Sequence, residues 1–292
     1  MKLKAKIAPW LFLFPALFIY LTVIVFPSFY SLVLSFFEWN GVSSDKKFVG
    51  LGNYLYLIAK DSVFRTALKN NLIWLAGSMT IMIGLGLAFA LILNRQLKGR
   101  VLFRSIFYYP YVLSGIVVAI VWSWMYHPSK GFVTFFLEKI GLDMLAVPWL
   151  SDPKTALYAI FVAGVWQGVG LPMVLFLAGL QAIPRDPYEA AIIDGAGPFQ
   201  TFRYVTLPLL RDTFVIVFAT TMVGAMKVYD IIYGMTAGGP ANSTQVLSSW
   251  MYYQTFKYNY IGIGSAISWY LIIICMIVII PYVIFISRRS YH

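Results

Sequence analysis

Charge is scarce in this chain. Of its 292 residues, 11% are Asp, Glu, Lys or Arg, against roughly 25% in an ordinary soluble protein. Cysteine is nearly absent. Cys275 stands alone inside an apolar run, which excludes an intrachain disulfide and a thiolate metal site. Two histidines, His127 and His292, are too few for a histidine metal cluster. No Gly-x4-Gly-Lys-Ser/Thr phosphate loop occurs, so the chain does not hydrolyse ATP by that route. His-Glu-x-x-His and Gly-x-Ser-x-Gly are missing as well, so no catalytic residue and no metal ligand is assigned. Repeats, low-complexity segments and linkers are also missing, which predicts one membrane domain over 1–292.

What fills the chain is apolar. Hydrophobic residues make up 60% of it, and the mean hydropathy is +0.78. Soluble domains run roughly 45–50% apolar. This composition predicts an all-α, multi-pass membrane protein. A crossing needs about twenty apolar residues, and six candidates appear, at about 9–37, 72–94, 105–126, 155–181, 213–233 and 263–287. The first follows Lys2, Lys4 and Lys6, as a signal peptide does. Its apolar run exceeds a signal peptide's roughly 7–15 residues and no small-x-small cleavage site follows, so it reads as a retained helix.

The net charge of +11 points to basic residues anchoring cytoplasmic loops rather than to nucleic acid. Six crossings put both termini on one side. That side carries twelve Lys and Arg, net +8, against nine and +3 opposite. Both termini are therefore expected in the cytoplasm of a cell-membrane protein. Arg95, Lys98, Arg100 and Arg104, with no acid among them, give the cleanest indication.

A polar island, 186–208, then faces the cytoplasm within the loop 182–212. Asp186 is placed to cap a helix, Pro187 suits its first turn, and Glu189 completes a capping box. Gly195 can end that helix, and Gly197-Pro198 prevents its continuation. Pro198 opens a second short helix, expected to end before Pro208. An ordinary interhelical loop is the alternative on spacing alone.

The island's residues resemble a known pattern. Glu189-Ala190-Ala191, Asp194-Gly195-Ala196 and Leu207-Pro208 resemble the EAA loop of permease subunits of bacterial ABC importers. Phe48–Tyr54, Lys98-Gly99-Arg100 with Phe103-Arg104, Trp149-Leu150, Ala178–Pro184 and Thr236-Ala237-Gly238-Gly239-Pro240 also resemble sugar permeases of this kind. The resemblance runs from about residue 10 to the tail and is nearest to the maltose- and glycerol-phosphate-type subfamily. It implies a type I, MetI-like permease fold whose EAA coupling helix docks on a separate ATPase. Tyr188, Glu189, Ala190, Ala191, Asp194, Gly195, Ala196 and Pro208 would make that joint. The implied partners are an ATP-binding cassette ATPase dimer that uses ATP and Mg, a second and different permease, and an extracellular or periplasmic solute-binding protein. The implied substrate is a sugar or oligosaccharide, with no cofactor bound by this chain.

Inside the spans, charge is expensive and marks candidate function. Lys227 and Asp230 are the charged residues there. At i, i+3 they share a helix face, and either neutralise each other or line a pathway. Gln167, Gly168 and Leu171 fall where the resemblance puts sugar contacts, although the side chains differ from the maltose permease's at Gln167 and Leu171. Gly164 and Gly168 also form a small-x-x-x-small packing pair. Trp122 leads a set of aromatics, with Trp124, Trp166, Trp269 and Tyr270, that can stack on a sugar or sit in the interfacial belt. A self-sufficient secondary transporter is the alternative function. It would want titratable groups and inverted repeats in the spans.

Overall fold

In hydrocarbon, an apolar run satisfies its backbone N–H and C=O groups only as a helix or a closed barrel, and this chain chooses helices. A computed structural model describes residues 2–287. Five helices are long and apolar enough to cross a membrane: Phe12–Leu34, Ser62–Leu93, Ala156–Ala182, Arg211–Thr236 and Ile261–Pro281. Two shorter helices, Arg100–Val112 and Gly115–Met125, meet at 102° and make a sixth crossing if taken as one.

The third expected span, 105–126, is therefore broken. Leu113 and Ser114 adopt extended backbone, ψ 144° and 138°, which ends one helix and starts the next. The fifth is broken too. Its pieces are Arg211–Met226 and Asp230–Thr236, so Lys227 and Asp230 do not share one continuous helix. The second begins at Ser62 rather than at 72. Phe64, Ala67, Asn70, Asn71 and Trp74 are buried at helical spacing. Polar residues on that face hid the periodicity from a search for apolar runs.

The described residues form two compact units, 2–62 with 250–272 and 63–249 with 273–287. In the first unit, the long loop after the first span is structured. Phe37–Glu38 pairs antiparallel with Lys47–Phe48, and a helix covers Gly52–Ala59. Asn53 Nδ2 donates to Ser35 O at 2.8 Å and Phe37 O at 2.9 Å. The first span carries a π-turn, Leu21–Val25, just before Pro27. Proline has no N–H to give the carbonyl four residues back, and a widened turn accommodates that loss.

The second unit is a helical core. Helices Ile83–Leu93 and Gly170–Ala182 pack together around Ile83, Ala90, Phe176, Leu177 and Leu180. A Cβ on Gly86 would lie 2.6 Å from Pro172 Cβ and 3.1 Å from Met173 N. The helices touch there backbone to backbone, which van der Waals attraction rewards when lipid removes the hydrophobic drive. A second core joins Trp74, Val118, Ile160, Ala163, Ile231 and Ile232.

Candidate functional site

Small residues of the fourth span and Val228, in the break of the fifth, line a cavity of about 270 Å³. Gln167, Gly168 and Leu171 line it, as expected from their positions. Trp74, Ser78 and Thr221 also line it. Gly164 and Gly168 keep the floor low. Added Cβ atoms would lie 2.7 Å from Trp74 and 2.8 Å from Met82, so the expected packing pair is packed against the second span.

Two hydroxyls in this cavity lack partners. Hydroxyls on helices ordinarily bond the carbonyl one turn back. Thr80 does so at 2.8 Å to Ala76 O, and Thr220 at 2.8 Å to Ile216 O. Ser78 Oγ and Thr221 Oγ1 are buried and make no hydrogen bond. Gln167 is half committed. Its Nε2 donates at 3.0 Å to Leu113 O, a carbonyl freed by the 102° bend.

An open cleft of about 520 Å³ shares Gln167, Tyr111, Val228 and Ile231 with the cavity lining, and adds Lys227 and Asp230. Both charged residues are exposed. Among the described residues no ion pair joins them, which removes mutual neutralisation. Asp230 is compensated otherwise. It opens its own helix, and a Cβ on Gly115 would lie 2.7 Å from its Cβ and 3.3 Å from its Oδ2. The carboxylate thus abuts the first turn of Gly115–Met125, where helix dipoles favour negative charge.

Trp122 lines neither space. It packs edge-on against Trp166 at 5.9 Å and tilted on Tyr126 at 5.3 Å, beside the core. Its Nε1 is buried without a hydrogen-bond partner. Trp124 is 73% exposed, and Tyr270 OH donates to Tyr54 O at 3.2 Å. The sequence reading missed Trp74, Ser78 and Thr221. Polar residues inside apolar runs were the available signal for the last two.

The island at 186–208 folds as two short helices and a break. The first is Asp186–Ile193. Asp186 does not cap it, and no capping box with Glu189 forms. Arg185 is already helical, and its carbonyl accepts from Tyr188 N at 2.9 Å and Glu189 N at 3.1 Å. Both carboxylates remain in the first turn, where the dipole stabilises them. At the other end Gly195 has φ +73°. Ala196 N donates to Ala191 O at 2.9 Å and Gly195 N to Ile192 O at 3.0 Å, the bond pair of a Schellman ending.

The second helix opens at Pro198, as expected, but does not stop before Pro208. It passes from Pro198–Thr201 through a π-turn, Phe202–Thr206, into Leu207–Leu209. The widened turn again directly precedes a proline. Tyr188 OH lies 3.2 Å from Thr206 Oγ1, tying the two helices together, and Ala191 is buried between them and the core. Glu189, Ala190 and Asp194 are exposed. So are Ile192, Ile193, Phe199 and Tyr204, at 71–85%, which the sequence reading did not single out.

The family model for binding-protein-dependent transport system inner membrane components matches residues 80–291. The chain belongs to this family. The multiple sugar-binding transport system permease protein of Streptococcus mutans is 35% identical over 280 residues, covering 95% of this chain and 94% of its own. The trehalose/maltose transport system permease protein of Thermococcus litoralis is 38% identical over 268 residues, 91% and 88% of the two chains. A chain in the crystal structure of a bacterial ABC transporter involved in the import of the acidic polysaccharide alginate has the same fold. Its TM-score is 0.83 at 22% identity, covering 99% of both chains. This inner membrane component is thus an ABC transporter permease of the expected fold, a non-catalytic, multi-pass subunit. These matches give the secondary-transporter alternative no support.

Proposed function

We propose that this permease carries a neutral sugar or oligosaccharide through the cavity at Ser78, Gln167 and Thr221 into the cell. The observation that carries this reading is the pair of buried hydroxyls without partners. An unsatisfied buried hydroxyl costs about 1–3 kcal/mol, which a ligand rich in hydroxyl groups relieves. Gly168 and Leu171 line the cavity beside Gln167, while Lys227 and Asp230 offer charge-assisted hydrogen bonds at the cleft. The relatives named for trehalose/maltose and multiple-sugar transport support the substrate class. A neighbour in fold was crystallised with an alginate pentasaccharide-bound periplasmic protein, which supports delivery by a solute-binding protein on the outer side.

The island at 186–208 is the joint with an ATPase dimer that uses ATP and Mg, and a second permease completes the path. Tyr188, Glu189, Ala190, Ala191, Asp194, Gly195, Ala196 and Pro208 hold the joint's shape and polarity. ATP-driven closure of the ATPases moves this knob and switches the cavity between outward and inward access. Each ligand acts only through its differential affinity for the two states.

The test is uptake by the full transporter reconstituted with its partners. Thr221→Val and Ser78→Ala should each raise the KM for uptake about ten-fold, the value of one hydrogen bond lost at a buried group. ATP hydrolysis stimulated by the loaded binding protein should persist at saturating sugar. Unchanged KM in both variants would remove the cavity from the path.

A further inference from the structure

Asn70 and Asn71 are buried amides on the second span, 5% and 0% exposed. Neither belongs to the cavity lining, and nothing in the function above uses them. Their hydrogen bonds reach across the sequence. Asn71 Oδ1 accepts from Leu247 N at 2.7 Å, and Asn71 Nδ2 faces Ala225 O at 3.4 Å and Met226 O at 3.5 Å. Asn70 Nδ2 donates to Ser243 O at 2.7 Å and to Gln245 O at 2.8 Å. One turn of one helix thus holds two distant strips of backbone.

Both strips lie where regular helix stops or has yet to start, and there the asparagines meet backbone groups. Ala225 and Met226 end the helix Arg211–Met226, so their carbonyls belong to the unsatisfied last turn. Val228 O, inside the break, accepts from Ser248 Oγ. The strip 243–247 ends an irregular loop closed on itself and reaches the first residue of the helix Leu247–Tyr252. Thr244 Oγ1 meets Thr236 Oγ1 at 2.7 Å and donates to Gly239 O at 2.7 Å. Residues 244–249 are all buried. Non-helical backbone at membrane depth survives only where protein satisfies it or a cavity solvates it. The asparagines do the satisfying.

We infer that Asn70 and Asn71 are positioning residues that clamp the break at 227–229 and the loop 237–246, with the first residue of the helix Leu247–Tyr252, into one unit on the second span. The unit sets where Lys227 and Asp230 stand in the cleft. The same span carries Ser78 in the cavity, so a movement of that span carries the cleft's charged groups with it. The inference rests on the reading of that cleft as part of the sugar path.

The experiment uses the assembled transporter in detergent, with Cys275→Ser and Met226→Cys to give this chain one thiol, at a buried position bordering the break. The rate of maleimide labelling is read. Asn71→Leu should raise it about ten-fold, since a buried amide's hydrogen bonds no longer hold the break closed. Asn70→Leu touches the loop and none of 225–228, yet should raise the same rate, because the loop and the break move together. A rate unchanged by Asn70→Leu would overturn the single-unit claim. Should Asn71→Leu fail to assemble, Ser248→Ala removes the bond onto Val228 O with a smaller change. No increase in that variant overturns the clamp. Failure of the pathway reading is separate: it would show as an unchanged uptake KM in Asp230→Asn, with the labelling result intact.

Discussion

At the scale of single residues, the informative groups are those whose polarity goes unused. Ser78 and Thr221 are legible as polar residues in apolar runs. That they lack the back-bond made by Thr80 and Thr220 is not legible, because it depends on rotamers set by packing. Lys227 and Asp230 give the sharpest contrast. Sequence spacing pairs them on one helix face, but the helix breaks between them. Both stand exposed in the cleft, and Asp230 also sits at two helix N-termini. A stranded charge at membrane depth costs roughly 2.5–3.5 kcal/mol on insertion scales, and these two are not stranded. Lys227→Met and Asp230→Asn should each insert and assemble normally. Each should also raise the uptake KM, and the double variant should show both losses rather than a rescue. Restored uptake in the double variant would mean that the pair acts by mutual neutralisation.

At the scale of elements, the short helix Asp186–Ile193 depends on how it ends. Nothing lies within 4 Å of a Cβ placed on Gly195, so space does not require glycine there. Its φ of +73° does. Gly195→Ala forces an L-residue into the left-handed region at about 1–2 kcal/mol. Gly195→Pro removes the N–H given to Ile192 O and cannot adopt that φ at all. Gly195→Ala should weaken sugar-dependent ATP hydrolysis partially, and Gly195→Pro should abolish it, with the crossings still inserted in both. Full activity of Gly195→Pro would reduce the island to a connecting loop. The π-turns before Pro27 and Pro208 follow a similar local logic. At these two positions a proline inside a helical run costs a donor, and the turn before it is widened, whereas Pro110 and Pro281 sit in helices without a π-turn ahead of them.

At the scale of the whole molecule, the charge asymmetry of the loops is the main determinant of orientation. Twelve basic residues on one side against nine on the other predict cytoplasmic termini, with the broken third helix pair counted as one crossing. A reporter inserted within 186–208 should read cytoplasmic, and one near Asn242 should read external. The reverse pattern would put the island out of an ATPase's reach. The same experiment checks that Arg100–Val112 and Gly115–Met125 together cross once. A re-entrant pair would put the two reporters' sides out of register with the termini.

Composition alone determined that the chain is a membrane protein, because burying so few charges and so many apolar residues has no soluble solution. Pro187, Gly195 and Pro198 determined two short helices and their break, because proline and glycine act on local backbone geometry, whereas the capping box expected of Asp186 and Glu189 does not form. Gln167, Gly168 and Leu171 are neighbours on one stretch of one span, which the sequence shows. Tertiary structure alone decided that Trp74, Ser78 and Thr221 line the same cavity, since they come from other spans. It also placed Trp122 outside the linings of the cavity and the cleft, because a tryptophan's position depends on which helices pack around it. The breaks at 113–114 and 227–229 also escaped the sequence. No proline or glycine sits within either. The carbonyls they free are satisfied from afar, by Gln167 at Leu113 and by Asn71 and Ser248 around 225–228.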